Sequence, residues 1–507
     1  MYDTFRLTGA RLAGATDRVT IVVRHGQVIA VEPDGHATAV EPDGTSPRGA
    51  VESIDLDGRT VVPGLWDAHV HLTQWALARR RLDLSAATSA AQVVDLVRER
   101  LHVDAAHRGG PPTSPTPLVG FGFRDGLWPD APTATLLDEV AGGLPVVLVS
   151  GDLHCAWAST AGLRFLGITD HPTGVLREDE WMALQGTLDQ VPTDVVDGWV
   201  AEAGRAAAAR GVVGVVDLEI ADNLSVWRRR AAAGFDALRV RAGVWEPHLD
   251  RVLREELHTG DVVAGTGGLV AQGPLKVITD GSLNTRTAFC ADPYPEVVGS
   301  HDHGMLTVAP DELVPLMRHA RAHGLTCAIH AIGDRANTFA LDAFAASGAR
   351  GSVEHAQLLL PDDVPRLAAL GLTASVQPEH AMDDRDVADI YWAGRTGRAF
   401  PLADLVAAGV RLTLGSDAPV APLDPWVAID AAVHRARDGR DPWHPEQRID
   451  VRTALAASVD GVPLTIAAGH QADLAILDAD PLAPGASLRD LPVAGTLLGG
   501  RWTHRTF

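Results

Sequence analysis

Two histidines stand two positions apart at the end of an apolar run, in VVPGLWDAHVHL at residues 61–72. Imidazoles at this spacing can share a divalent cation when both face one side, as residues i and i+2 of a β-strand do. The pattern alone is weak. In a chain with 21 histidines, a His-x-His triplet is expected about once by chance. A second triplet, His301 and His303 in GSHDHGM, lies among Gly, Ser and Asp and reads as a loop. His69 and His71 therefore take their meaning from context.

A lysine is the second chemical signal. Of the 43 basic residues, 42 are arginine, and the one lysine is Lys276 in GPLKVITDGS. Arginine replaces lysine as a surface cation at little cost. It cannot replace an amine that must lose its proton, because the guanidinium stays protonated in proteins. Lys276 reads either as a residue with a chemical task or as a chance survivor of the bias.

These residues need elements to hold them. Apolar, strand-like runs occur at 65–72, 211–220, 238–246, 274–282, 325–334, 352–356, 372–378 and 411–419. Helical patterns separate them, and two of these, ELVPLMRHARAHG and DDVPRLAALG, end at Gly, a common helix stop. Strand–helix alternation with near-continuous apolar strands predicts a parallel sheet covered on both faces, and eight units predict a (β/α)8 TIM-like barrel. Residues 1–62 and 464–507 are strand-like and are expected to meet in one small β-sandwich, leaving 63–463 as the barrel. Residues 73–205 exceed the barrel count. They contain a Pro/Gly/Ser-rich connector, RGGPPTSPTP, and two further strand-like runs, PLVGFGF and LPVVLVSGDLH, and read as an insertion after the first strand that covers the barrel mouth.

His69, His71, Lys276, His330, His355 and Asp417 all fall at the C-terminal ends of these strands. In a (β/α)8 barrel those ends converge on the face where active sites lie. Four histidines, the sole lysine and an aspartate gathered there point to a metal site.

Bulk properties narrow the partners. The formal net charge is −22, so phosphate backbones and anionic membranes are repelled and neither nucleic acid nor membrane is expected as a partner. Three cysteines are too few for a disulfide framework. No basic-then-apolar leader and no run of membrane-spanning length is visible, so a cytoplasmic location is expected.

The motifs VVPGLWDAHVHL, LKVITDGSLNTRTAF, HAIGDRA, VEHA, ASVQPEHAMDD and GSDAPVAPLDPW together resemble those of amidohydrolases, specifically the YtcJ-like group, in which deformylation of N-substituted formamides is one activity. The resemblance covers nearly the whole chain. It implies a metal-dependent hydrolase of non-peptide carbon–nitrogen bonds acting on a small molecule, with a homodimer as the expected assembly. His69 and His71 would bind one metal and His330 and His355 a second. Lys276, carboxylated by CO2, would bridge the two as a carbamate. Asp417 would bind metal and act as general base and acid. Zn2+ suits imidazole and carboxylate ligands, with Mn2+, Fe2+ and Ni2+ as alternatives.

Other residues carry weaker signals. His154 and Trp157 in GDLHCAWAST fall in the insertion and match the family pattern as substrate contacts, although a tryptophan there serves a core equally well. Arg286 follows the Lys276 strand and would bind a substrate carboxylate or carbonyl, or pair with a nearby acid. Gln377 and His380 end the seventh strand and would face substrate or anchor a loop. Asp280 and Asp334 would orient ligands or cap helices. Cys327 reads as packing. Two departures from the family pattern stand out. Asn284-Thr285 replaces the usual Gly-Ser, and GHQADLAILD lacks the lysine often found there.

Two competing readings remain at this level. A buried lysine at a strand end can form a Schiff base, as in aldolases, but this leaves the four histidines unused. A barrel that has lost catalysis can serve as a binding module, but such a site tends to lose its ligands.

Overall fold

A computed structural model describes residues 4–35, 52–108, 117–188, 191–295, 297, 299 and 301–507. Residues 109–116 of the Pro/Gly/Ser-rich connector lie outside the described residues.

The eight strands read from the sequence form one parallel sheet. They are β1 (Leu65–Val70), β2 (Val212–Asp217), β3 (Arg239–Trp245), β4 (Val270–Ile278), β5 (Cys327–Ala331), β6 (Gly351–His355), β7 (Thr373–Val376) and β8 (Arg411–Leu414). Each pairs with the next in chain order. A parallel bridge between Val70 and Ala418 brings the chain after β8 against the end of β1. Helices follow the strands and bury their apolar sides on the sheet. Val353, Ala374, Leu412 and Leu414, which alternate with more polar strand residues, join helix residues such as Leu341, Phe344 and Leu367 in one continuous core. The Gly residues that stop the helices do so in the left-handed region, Gly324 at φ 73° and Gly371 at φ 65°.

The two ends of the chain meet in a single eight-stranded sheet. Thr60–Pro63 pairs antiparallel with Leu474–Leu477, which joins the N-terminal strands to the C-terminal ones. Phe5, Leu7, Ile21, Ile54, Leu474 and Ile476 form its separate apolar cluster.

After β1, the helix Leu72–Ala78 returns to the barrel, and Trp75 and Ala76 enter its core. A five-stranded sheet follows, built from Leu82–Asp83, Leu118–Phe123, Val146–Ser150, Cys155–Ala158 and Val175–Arg177. The helix Thr193–Ala208 then packs Val200, Ala203 and Ala207 back onto the barrel core. The chain thus leaves the barrel after one helix and re-enters it with another. Among the described residues, no helix is long and apolar enough to cross a membrane.

Candidate metal and active site

The barrel is joined where the site lies. Asp417 N–H donates to the His69 carbonyl at 2.7 Å, and His71 N–H donates to the Ala418 carbonyl at 2.8 Å. The Asp67 carboxylate accepts from the backbone N–H of His69 at 3.1 Å and of Ser416 at 2.9 Å. These bonds set Asp417 between the two histidines of β1. Gly415 is required by the close approach: a Cβ there would lie 2.8 Å from His69 N and 2.9 Å from His69 Cβ. Two members of the site, His355 at φ 71° and Asp417 at φ 56°, hold left-handed backbone, which non-glycine residues seldom adopt outside constrained sites.

Six residues converge. Asp417 Oδ1 is 3.4 Å from His69 Nε2 and 3.3 Å from His71 Nε2. Lys276 Nζ is 3.3 Å from the same His69 Nε2. The His355 ring lies 5.0 Å from that of His69 and 4.4 Å from that of His330. One cavity is lined by all six together with Asp152 and His154. The second triplet lies elsewhere: His303 bonds the Cys290 carbonyl at 3.0 Å and His301 is exposed in a turn.

The group fits a cation. His69, His355 and Asp417 each offer a ligand atom, all within 4.8 Å of one another. Among the described residues, buried His71 Nδ1, His330 Nε2 and His355 Nδ1 have no hydrogen-bond partner. Two atoms each about 2.0–2.1 Å from a tetrahedral ion stand about 3.3 Å apart, the spacing seen around Asp417 Oδ1. Electrostatics agree for three of the four histidines; for His71, burial lowers the pKa but Asp417 outweighs it and raises it. Burial, aided by Lys276, holds His69 below its usual pKa, and burial holds His330 and His355 well below. All three are then neutral imidazoles, the form that binds metal. Burial likewise lowers the Lys276 amine. Burial alone would raise Asp417, but His69, His71 and His355 outweigh it and hold the carboxyl well below its usual range.

The other predicted residues divide. His154 lines the same cavity, with Nδ1 2.8 Å from Glu178 Oε2. Burial opposes its charge, yet Glu178 prevails and pushes the pKa up to about 9. Gln377 sits behind His69, its Nε2 3.5 Å from His69 Nδ1, and does not line the cavity. Trp157 is buried in the insertion against Phe123 and Trp128, its indole donating to the Thr133 carbonyl at 2.8 Å. Arg286 lies 5.4 Å over the Tyr391 ring and lines neither cavity at the site. His380 is buried, stacks on His355 at 6.1 Å and lines an adjoining cavity. Asp280 accepts backbone bonds from Phe289, Ile332 and Gly333 and lies 3.5 Å from His330 Nε2; burial pushes its pKa to about 7. Asp334 accepts from Ala291 N–H at 2.7 Å at the start of its helix, and Cys327 is packed in the core.

Sequence reasoning missed several groups. Glu354 contacts His69 Nδ1 at 2.7 Å. Its only signal was its place before His355 in VEHA. Asp152 ties the insertion to the loop after β4, accepting from Ser282 Oγ at 3.0 Å and Asn284 Nδ2 at 3.2 Å. Arg124 does the same toward the helix Pro378–Tyr391, donating to Asp383 at 3.0 Å. These bonds hold the segment carrying Arg124 and Asp152 against the loop after β4 and the helix Pro378–Tyr391.

The geometry has counterparts. Residues 52–504 match the amidohydrolase family. Protein LONG AFTER FAR-RED 3 of Arabidopsis thaliana is 30% identical over 497 residues, covering 88% of this chain and 83% of that protein. N-substituted formamide deformylase of Arthrobacter pascens is 27% identical over 543 residues, covering 95% of this chain and 96% of that protein. Among solved structures, an uncharacterized metal-dependent hydrolase from Pyrococcus horikoshii OT3 superposes with a TM-score of 0.75 at 25% identity, covering 95% of this chain and 98% of that one. With its barrel, its strand-end histidines and a match across most of its length, the chain belongs to the amidohydrolase family.

Proposed function

We propose that the protein hydrolyses a carbon–nitrogen bond of a small non-peptide amide, with N-substituted formamides as the favoured class. The observation that carries this reading is Asp417 Oδ1, set 3.3 Å from His71 Nε2 and 3.4 Å from His69 Nε2. A carboxylate so placed can both hold a cation and move a proton. His69, His71, His330, His355 and Asp417 would hold one or two divalent ions, with Zn2+ favoured, and carboxylated Lys276 would supply a bridging oxygen pair. When bound, the ion supplies Lewis-acid chemistry, polarising a carbonyl and acidifying water.

The protein's own groups do the rest. Asp417 takes the proton of the attacking water and returns it to the departing nitrogen. His154, kept protonated by Glu178, faces the same cavity and can donate to the substrate carbonyl oxygen as negative charge builds there. The adjoining cavities at the site measure about 40 and 50 Å³. Formamides are favoured because the N-substituted formamide deformylase of Arthrobacter pascens is 27% identical over 95% of this chain.

The test is amine release from a panel of N-substituted formamides and larger N-acyl amines by the metal-replete protein. Turnover of formamides, lost in Asp417→Asn by about 10²–10⁴-fold with metal still bound, is expected. Normal turnover in Asp417→Asn, or no amide hydrolysed at all, overturns the proposal.

A further inference from the structure

The opposite end of the barrel is not filled. TIM-like barrels pack their interiors with layers of bulky branched side chains. Here Ala68, Ser352, Thr373, Ser375 and Thr413 line a cavity of about 800 Å³. It opens where the strands begin, beside Arg241, Arg350 and Arg411, and ends on Glu354. Its volume is in the range of small-molecule sites. It is separate from the metal cluster, none of whose six residues lines it.

The lining has a chemical character. Arg241 is engaged by Asp460 at 2.6 and 2.5 Å. Arg411 donates only to the Thr373 hydroxyl, at 2.8 and 2.6 Å, and Arg350 makes no ion pair among the described residues. Arg411 lies close enough to Asp460, which also lines the cavity, for its charge to lower that carboxyl, but it makes no ion pair with it among the described residues. Two guanidinium groups thus stand at the rim without a direct carboxylate partner, on a protein whose net charge is −22. Deeper in, Ser375 Oγ is buried, lines the cavity and has no hydrogen-bond partner among the described residues. Trp66, with the Arg241 guanidinium 4.7 Å over its ring, gives one apolar wall. A basic rim, hydroxyl donors below it and an aromatic wall are complementary to a small organic anion.

We propose that this cavity is a second ligand site, which takes a small organic carboxylate through Arg350 and Arg411 and the hydroxyls beneath them. Its inner end is the Glu354 carboxylate, which accepts from Ser352 Oγ and lies 2.7 Å from His69 Nδ1. The site therefore borders the catalytic end without sharing its ligands.

Isothermal titration of the full-length, metal-replete protein with succinate tests this, with succinamide as the uncharged match. Saturable succinate binding is expected, absent for succinamide. Arg350→Gln and Arg411→Gln should each weaken it about tenfold, the scale of one lost charged hydrogen bond. Arg350 is exposed, so its replacement leaves folding intact, and a melting curve checks the Arg411 variant. Asp417→Asn should bind succinate as the parent does. No saturable binding, equal binding of succinamide, or binding lost in Asp417→Asn but kept in both arginine variants overturns the proposal. The last outcome places the anion at the metal cluster and leaves the hydrolase reading standing.

Discussion

Glu354 Oε2 lies 2.7 Å from His69 Nδ1, and both side chains are buried. A carboxylate this close to Nδ1 favours the tautomer with its proton there, which leaves Nε2, 3.4 Å from Asp417 Oδ1 and 3.3 Å from Lys276 Nζ, as the lone-pair nitrogen. Glu354→Gln is therefore expected to weaken divalent-metal affinity by about 10–100-fold, with Glu354→Asp intermediate. Chelator competition measures this without any substrate. Equal affinity in the glutamine variant would show that His69 is oriented by other contacts.

Lys276→Arg keeps the charge but cannot form a carbamate, because its guanidinium stays protonated. Metal per chain, measured by plasma mass spectrometry on identically purified proteins, should fall clearly from a parent value near two. A carbamate carbon should also appear by NMR after growth in labelled CO2 and vanish in the variant. Undiminished metal would sink the bridging role. Absence of metal from both would bring the Schiff-base reading forward, and borohydride trapping of a carbonyl compound would then decide it.

Gly415→Ala should be destabilising and should reach the site. The added methyl would sit 2.8 Å from His69 N and 2.9 Å from His69 Cβ, and both are held by the barrel closure. Forced overpacking costs about 1–3 kcal/mol. A lower melting temperature together with weaker metal binding is expected. A variant that melts and binds metal like the parent would contradict the tight fit.

The pair His154–Glu178 gives a pH signature. Its histidine pKa is raised from 6.5 to about 9 in the folded chain. A raised pKa means the stabilisation is fully present below 6.5 and is lost as the pH rises through about 9. Glu178→Gln should thus lower the melting temperature most at mildly acidic pH and little above pH 9. An NMR titration of His154 with a midpoint near 6.5 in the parent would refute the pairing.

Arg124 ties the insertion to the barrel through Asp383, at 3.0 Å, and the Val420 carbonyl, at 3.1 Å. Arg124→Ala should loosen the insertion beside the site more than it changes the cluster. The expected result is a KM raised several-fold with metal content unchanged. Loss of metal instead would mean that the insertion shapes the ligands themselves.

The sequence by itself determined the barrel and the ligand candidates. Strand alternation and helix stops are local properties, so β1 to β8 and the Gly ends of their helices were legible residue by residue. His69 and His71 were legible because a strand places alternate residues on one side. Lys276 was legible because it is the one lysine among 43 basic residues. Only the tertiary structure decided which residues meet across the barrel. Glu354 reaches His69 over 285 positions of chain, a pairing no local pattern encodes. Trp157 and His154 lie three residues apart in one motif, yet one is buried in the insertion's core and the other faces the site. The cavity at the strand starts depends on small side chains from separate strands failing to fill one shared space. Local sequence fixes the period of an element, while contacts between distant elements follow from packing the whole chain.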